Sequence, residues 1–137
     1  MPLLQKGAKF VSRRMPDIID PTLHAVLDYA VAGSFFLKGA LLWKRHRRAS
    51  AGSFICGGAA LANALMTDYP GGVFRKISYR THGRNDAAIA GFTAAAPRLL
   101  GFHDQKEATF FSAEAVVETV VTELTNFDYY EKRSLAA

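Results

Sequence analysis

One cysteine in 137 residues, Cys56, leaves no partner for an intrachain disulfide and no set of thiolates for a zinc site. It lies in SFICGG among small and apolar residues, with no histidine near it in sequence, so a packing thiol is expected rather than a nucleophile. Strand signals are also lacking: alanine and leucine dominate, and no two-residue alternation of apolar and polar side chains persists. GGAALAN and YPGG lack the flanking elements of a phosphate loop, and no serine has the context of a nucleophile elbow. No reaction is legible, which argues against an enzyme. The basic start, MPLLQKGAKFVSRR, has neither the apolar core nor the cleavage site of a signal peptide and is expected to belong to the mature chain.

Charge is sparse, at 21% of residues against 50% hydrophobic, and it sits mostly between apolar segments. Lys6, Lys9, Arg13 and Arg14 precede the first segment, KRHRR (Lys44 to Arg48) follows it, and Arg75, Lys76, Arg80 and Arg84 lead into the third. The net charge of +5 suits anionic lipid or plain solubility. Nucleic acid is disfavoured, because no reading motif accompanies the charge. The length predicts one domain.

What the chain does contain is a repeat. Shifted by 58 positions, His24 meets His82, Asp28 meets Asp86, Gly33 meets Gly91, Leu41 and Leu42 meet Leu99 and Leu100, and Thr67 meets Thr125. One ungapped offset over more than forty residues predicts an internal duplication. Each half reads as a helical hairpin: residues 20–69 form the first and residues 78–128 the second, after a basic segment over 1–19. Asp20 and Pro21 are helix-start signals, and helices are expected over about Pro21 to Trp43, Ala49 to Thr67, Tyr79 to Phe102 and Glu107 to Phe127. DYPGG separates the halves, and Pro97 should kink or loosen the end of the third helix. The fold class is therefore all-α, four antiparallel helices built as two pseudo-repeated hairpins.

Helices of this length can cross a bilayer, and Ala49 to Thr67 carries no charge at all. Arg80, Arg84 and Arg98 on the third helix, and Glu114, Glu118 and Glu123 on the fourth, argue for a soluble bundle instead. Small residues in GGAALANA, AAIAG and TAAA suit close helix packing in either setting, and self-association through those faces is a possible use.

HAVLDY, an apolar helix containing glycine, LMTDYPGG, HGRND and AAPRLLGF follow one another over about residues 20 to 128. As an ordered set they resemble the small bacterial four-helix membrane proteins related to the SPW-repeat group. Those proteins are two copies of a unit with H-x-x-x-D, a small-residue helix, an S-P-W-L-L-G-F-like helix end and an L-T-D-Y-type exit. This chain has KGALLWKRH at the first such end and Arg98 in place of the tryptophan at the second. The resemblance implies a multi-pass membrane protein and no activity. Lysine and arginine then favour the side bearing the N-terminus, the connection between the halves and the C-terminus, so both termini are expected in the cytoplasm. The alternative expectation is a soluble cytoplasmic binding module.

Residues four apart share a helix face, so His24 with Asp28 and His82 with Asp86 each form a stripe near a helix start. Antiparallel hairpins bring the exits of the second and fourth helices, with Asn63, Thr67, Thr122 and Thr125, to the same level. Eight polar side chains are thus expected at one end of the bundle. They suit a hydrogen-bonded clasp, the simpler expectation, or a divalent metal held by His24, Asp28, His82 and Asp86. Haem between His24 and His82 is a remoter option. Glu114 and Glu118 form a second pair near the other end, expected on a solvated face of a soluble bundle or as intramembrane carboxylates, with Lys38 their candidate cationic partner. No small-molecule ligand can be named.

Overall fold

The computed structural model describes residues 16–136, whose regular elements are all helices, with no strand among them. Lys6, Lys9, Arg13 and Arg14, the charges of the basic N-terminal segment, lie outside the described residues. Four long helices, α1 (Pro21–Leu42), α2 (Arg47–Met66), α3 (Tyr79–Leu99) and α4 (Ala108–Glu123), are followed by a short fifth, α5 (Tyr129–Ala136). The sequence reading did not anticipate α5. The long helices pack in a ring, α1 on α2, α2 on α3, α3 on α4 and α4 on α1.

The helix starts follow from side chains that satisfy free backbone N–H groups. Asp20 accepts from Leu23 N at 2.8 Å ahead of Pro21, and Ser78 accepts from Thr81 N at 3.1 Å. His46 Nδ1 accepts from Ala49 N at 3.1 Å, so α2 begins inside KRHRR and the turn is shorter than expected. α3 runs through Pro97 and stops two residues later. There Gly101 takes φ +74°, its N–H bonds to Arg98 O at 3.3 Å, and Phe102 N bonds to Pro97 O at 2.8 Å. Those two bonds and the left-handed glycine make a Schellman cap, which is why LLGF terminates the helix.

α4 ends at Glu123, short of the expected Phe127, because the backbone beyond it pairs elsewhere. Ile19 N donates to Leu124 O at 3.0 Å, and Ile19 and Thr125 form a parallel bridge. Thr67 and Ile77 form the matching bridge at the other hairpin, and both members stand 58 positions from their counterparts. Each bridge ties a helix exit to the residue just before a helix carrying a His–Asp pair. The two pairs are thereby brought to one level.

The interior divides along its length. Phe35, Phe102 and Phe111, each fully buried, fill the end farther from these bridges with Ala49, Cys56 and Ala96. Around the histidines the packing is by Ala25, Ala64, Tyr69 and Tyr79. At Gly57 a Cβ would stand 2.9 Å from Phe35 Cβ, so α1 and α2 approach more closely than any larger residue permits.

The outer face is apolar between two rings of charge. Leu23, Val26 and Leu37 on α1, Ile55 on α2, Phe92 on α3, and Val116, Val117 and Val120 on α4 are exposed. On α3 no charged residue is exposed between Arg84 and Arg98, a rise of about 21 Å at 1.5 Å per residue. Glu114 and Glu118 do not lie on a solvated face: both are half-buried, turned towards α1 and α3. α1 and α2 are each long and apolar enough to cross a membrane.

Candidate metal centre

The ring of helices brings both His–Asp pairs into one cluster. His24 and His82 are 0% and 1% exposed, and their Nε2 atoms face one another at 3.0 Å. Asp28 lies 3.2 Å from His24 Nε2 through Oδ1 and 3.1 Å from His82 Nε2 through Oδ2. Asp86 Oδ2 is 3.0 Å from each of the two Nε2 atoms. Each carboxylate therefore touches the histidine of its own helix and that of the facing helix. Sequence spacing foretold the first contact, and only the ring supplies the second.

The far side of each imidazole is held by threonine. Thr125 Oγ1 lies 2.8 Å from His24 Nδ1, and Thr67 Oγ1 lies 2.7 Å from His82 Nδ1. Each hydroxyl donates its one proton to a carbonyl a turn earlier in its own chain, Thr125 to Val121 O at 2.6 Å and Thr67 to Asn63 O at 2.5 Å. The hydroxyl can then only accept from the ring, so Nδ1 is the N–H of each imidazole and Nε2 is left to face the centre. This is the outer-shell arrangement that orients a metal-ligating histidine.

The carboxylates are steadied differently in the two halves. Asp28 Oδ2 accepts from Tyr69 Oη at 2.7 Å, and Asp86 Oδ1 accepts from Asn63 Nδ2 at 2.8 Å. Asn63 in turn takes Asn85 Nδ2 on its own oxygen at 2.9 Å. The positions 58 further on from Tyr69 and Asn63 are Phe127 and Val121, which can donate nothing. The equivalence of the halves thus holds for the histidines, aspartates and threonines and stops at the donors to the carboxylates. Burial, and then the charge of Asp28, push the Tyr69 phenol far above its ordinary range, which keeps it a donor.

Seven of the eight expected residues meet in this network, and Thr122 does not. Its hydroxyl bonds back to Glu118 O at 2.8 Å, a turn away on its own helix, and its side chain lines a small cavity beside Asp28 and Asp86. Tyr69 and Asn85 were not foreseen, since Tyr69 lies in DYPGG, read only as the break between the halves, and Asn85 stands beside Asp86 at a spacing that does not share its helix face. Glu114 accepts from Ser34 Oγ at 2.6 Å, and Glu118 faces Thr93 Oγ1 at 3.4 Å. Lys38 pairs with neither glutamate: its ammonium lies 5.2 Å from the Phe110 ring centre.

Two imidazole nitrogens and two carboxylate oxygens within 4.8 Å of one another are ligand types that divalent transition metals take. A tetrahedral ion with bonds of about 2.0 Å needs ligand-to-ligand edges of about 3.3 Å. The five contacts that involve a histidine measure 3.0 to 3.2 Å, but Asp28 makes its two through different oxygens, and with one atom from each residue the four lie within 4.8 Å of one another. A tetrahedral ion would need the Asp28 carboxylate to turn one oxygen to the centre, together with an outward movement of a few tenths of an ångström at the histidine nitrogens. Haem is not accommodated, because imidazoles that ligate opposite faces of one iron cannot have their Nε2 atoms 3.0 Å apart. Set against protein-family models, curated proteins and solved structures, the chain matches none.

Proposed function

We propose that the protein is a membrane-embedded helical bundle that binds one divalent transition-metal ion through His24, Asp28, His82 and Asp86. The observation that carries the metal reading is the pair of Nε2 atoms facing each other at 3.0 Å while both Nδ1 atoms are committed to threonine hydroxyls. Two bare nitrogens at that distance would repel, so a positive charge, carried by a metal ion or by protons, belongs between them. A metal ion satisfies both nitrogens and both carboxylates at once, and its charge of +2 balances the two aspartates. Nitrogen and oxygen donors in a near-tetrahedral set suit zinc first, with cobalt, iron or manganese as competitors.

The competing occupant is protons. With a proton on one or both Nε2 atoms, the same residues form a hydrogen-bonded ionic clasp with no ion at all. Metal analysis of protein purified without chelator decides between them. About one ion per chain, lost in both His24→Ala and His82→Ala, supports the metal reading; substoichiometric metal that both variants leave unchanged rejects it.

The bilayer reading rests on the uncharged outer belt. Its length of about 21 Å on α3 falls short of the roughly 30 Å hydrocarbon core, and arginine side chains that reach to the interface make up part of the difference. Turning Glu114 and Glu118 towards α1 and α3 weakens the main objection to a membrane, since each carboxylate has a hydroxyl beside it within the bundle. Arg75, Lys76, Arg80, Arg84, Lys132 and Arg133 lie at the end bearing the His–Asp cluster. The positive-inside rule places that end, with both termini, in the cytoplasm. Detergent phase separation tests the location: complete recovery in the aqueous phase refutes it. A C-terminal reporter active only on the outer side refutes the orientation.

A further inference from the structure

Asp28 and Asp86 form part of the wall of a cavity of ≈ 30 Å³ inside the ring of helices, and Glu118 with Leu27, Val31 and Ile89 forms much of the rest. A void of that size has room for a water when polar groups line it, since roughly 10 to 15 Å³ suffices. It is far below the several hundred cubic ångströms of a small-molecule pocket. Glu118 gives the cavity its third carboxylate. One of its oxygens, Oε2, is buried and finds no donor among the described residues, while Glu114 one turn away is met by Ser34. Leaving a buried carboxylate oxygen without a donor is costly, and the cavity is the place from which a donor can come.

We propose that this cavity is the open coordination position of the metal centre. It takes one water, or a neutral oxygen donor of the same size, bound to the ion on the side of Asp28 and Asp86, and Glu118 is the positioning residue that accepts its hydrogen bond. The proposal rests on the metal reading and adds to it: a solvent ligand beside the four protein atoms expands the near-tetrahedral set to five-coordinate, whereas a purely structural site stays closed with its four protein ligands. Here the chamber admits only something of water's dimensions. A polarised solvent molecule beside a carboxylate acceptor is the chemistry this geometry provides.

Cobalt(II) substituted into the full-length protein in detergent reports coordination number through its visible absorption, weak for five or six ligands and several-fold stronger for four. The wild type should show the weak spectrum. Ala60→Val, which adds two methyl groups to the cavity wall, should convert it to the strong one with cobalt content unchanged. Glu118→Leu should move it the same way by removing the acceptor, and Glu114→Gln should leave it as in the wild type. A strong four-coordinate spectrum in the wild type that neither Ala60→Val nor Glu118→Leu alters overturns the open position and leaves the metal site standing. Failure of the wild type to take up cobalt overturns the metal reading and this proposal with it. If Ala60→Val does not fold, Glu118→Leu against Glu114→Gln decides: equal spectra for the two variants refute a role for Glu118.

Discussion

Replacing Asp28 by asparagine keeps the shape of the side chain and removes one ligand and one negative charge, so it separates a metal site from a clasp. In the wild type Asp28 faces His24 Nε2 at 3.2 Å, His82 Nε2 at 3.1 Å and Tyr69 Oη at 2.7 Å. If the centre holds an ion, the folded state gains about 2.7 kcal/mol when free metal stands at 100 times its dissociation constant. At about 3 to 5 °C per kcal/mol for a chain of this size, chelator should lower the wild-type melting temperature by roughly 10 °C. Asp28→Asn should melt lower than the metal-loaded wild type, and chelator should shift it by no more than a degree or two, because three remaining ligands hold the ion far less tightly. Without an ion the loss is that of a buried hydrogen-bonded carboxylate, about 1 to 3 kcal/mol, and chelator changes nothing in either protein. Melts followed by circular dichroism in detergent, with and without chelator, distinguish the two. Equal chelator shifts in wild type and variant, or a shift in neither, refute the four-ligand site.

Thr67→Val and Thr125→Val each remove the acceptor for one Nδ1–H, and each should weaken metal binding by about 10- to 100-fold and to a similar degree, read by competition with a chromophoric chelator. Clearly unequal losses would show that the two rings are not held alike. Tyr69→Phe deletes the donor to Asp28 and should cost about 1 kcal/mol, whereas Phe127→Tyr at the corresponding position should recover none of it, since Phe127 faces Gly83, where a Cβ would be only 2.8 Å from its ring. Thermal melts of both variants and of the pair test this. Gly101→Ala places a side chain at φ +74° and should destabilise by about 1 kcal/mol or more without changing metal content. Metal should also leave as the pH falls, since protons compete for both Nε2 atoms, and release monitored by a metal indicator should be steeper than a single-proton titration.

How much of this could be read in the chain depended on whether a residue's role was set locally or by the fold. H-x-x-x-D places two residues on one helix face whatever surrounds it, and Asp20 and Pro21 mark a helix start by backbone chemistry alone. The helix register and the level of the histidines were legible for that reason. The end of α4 was not, because Leu124 and Thr125 leave the helix to bond with Ile19, more than a hundred residues away. Glu118 shows the same limit from the other side. Its charge argued for a solvated face, and only the ring of helices turns it towards Thr93 and the cavity.

Residues 58 positions apart are alike where an ion would need them and differ elsewhere. His24 and His82, Asp28 and Asp86, and Thr67 and Thr125 are matched in identity, and each histidine meets both aspartates and one threonine. A structural clasp has no such requirement, because any complementary donors and acceptors would satisfy it. The residues that differ between the halves, Tyr69 against Phe127 and Asn63 against Val121, all act one step further out, on the carboxylates. Exchanging them should therefore tune how tightly an ion is held, and leave intact the set of atoms that holds it. Val121→Asn supplies the comparison: placed 58 positions from Asn63, it should alter metal affinity while stoichiometry stays at one, and a loss of stoichiometry instead would mean that the outer residues, too, help form the ligand set.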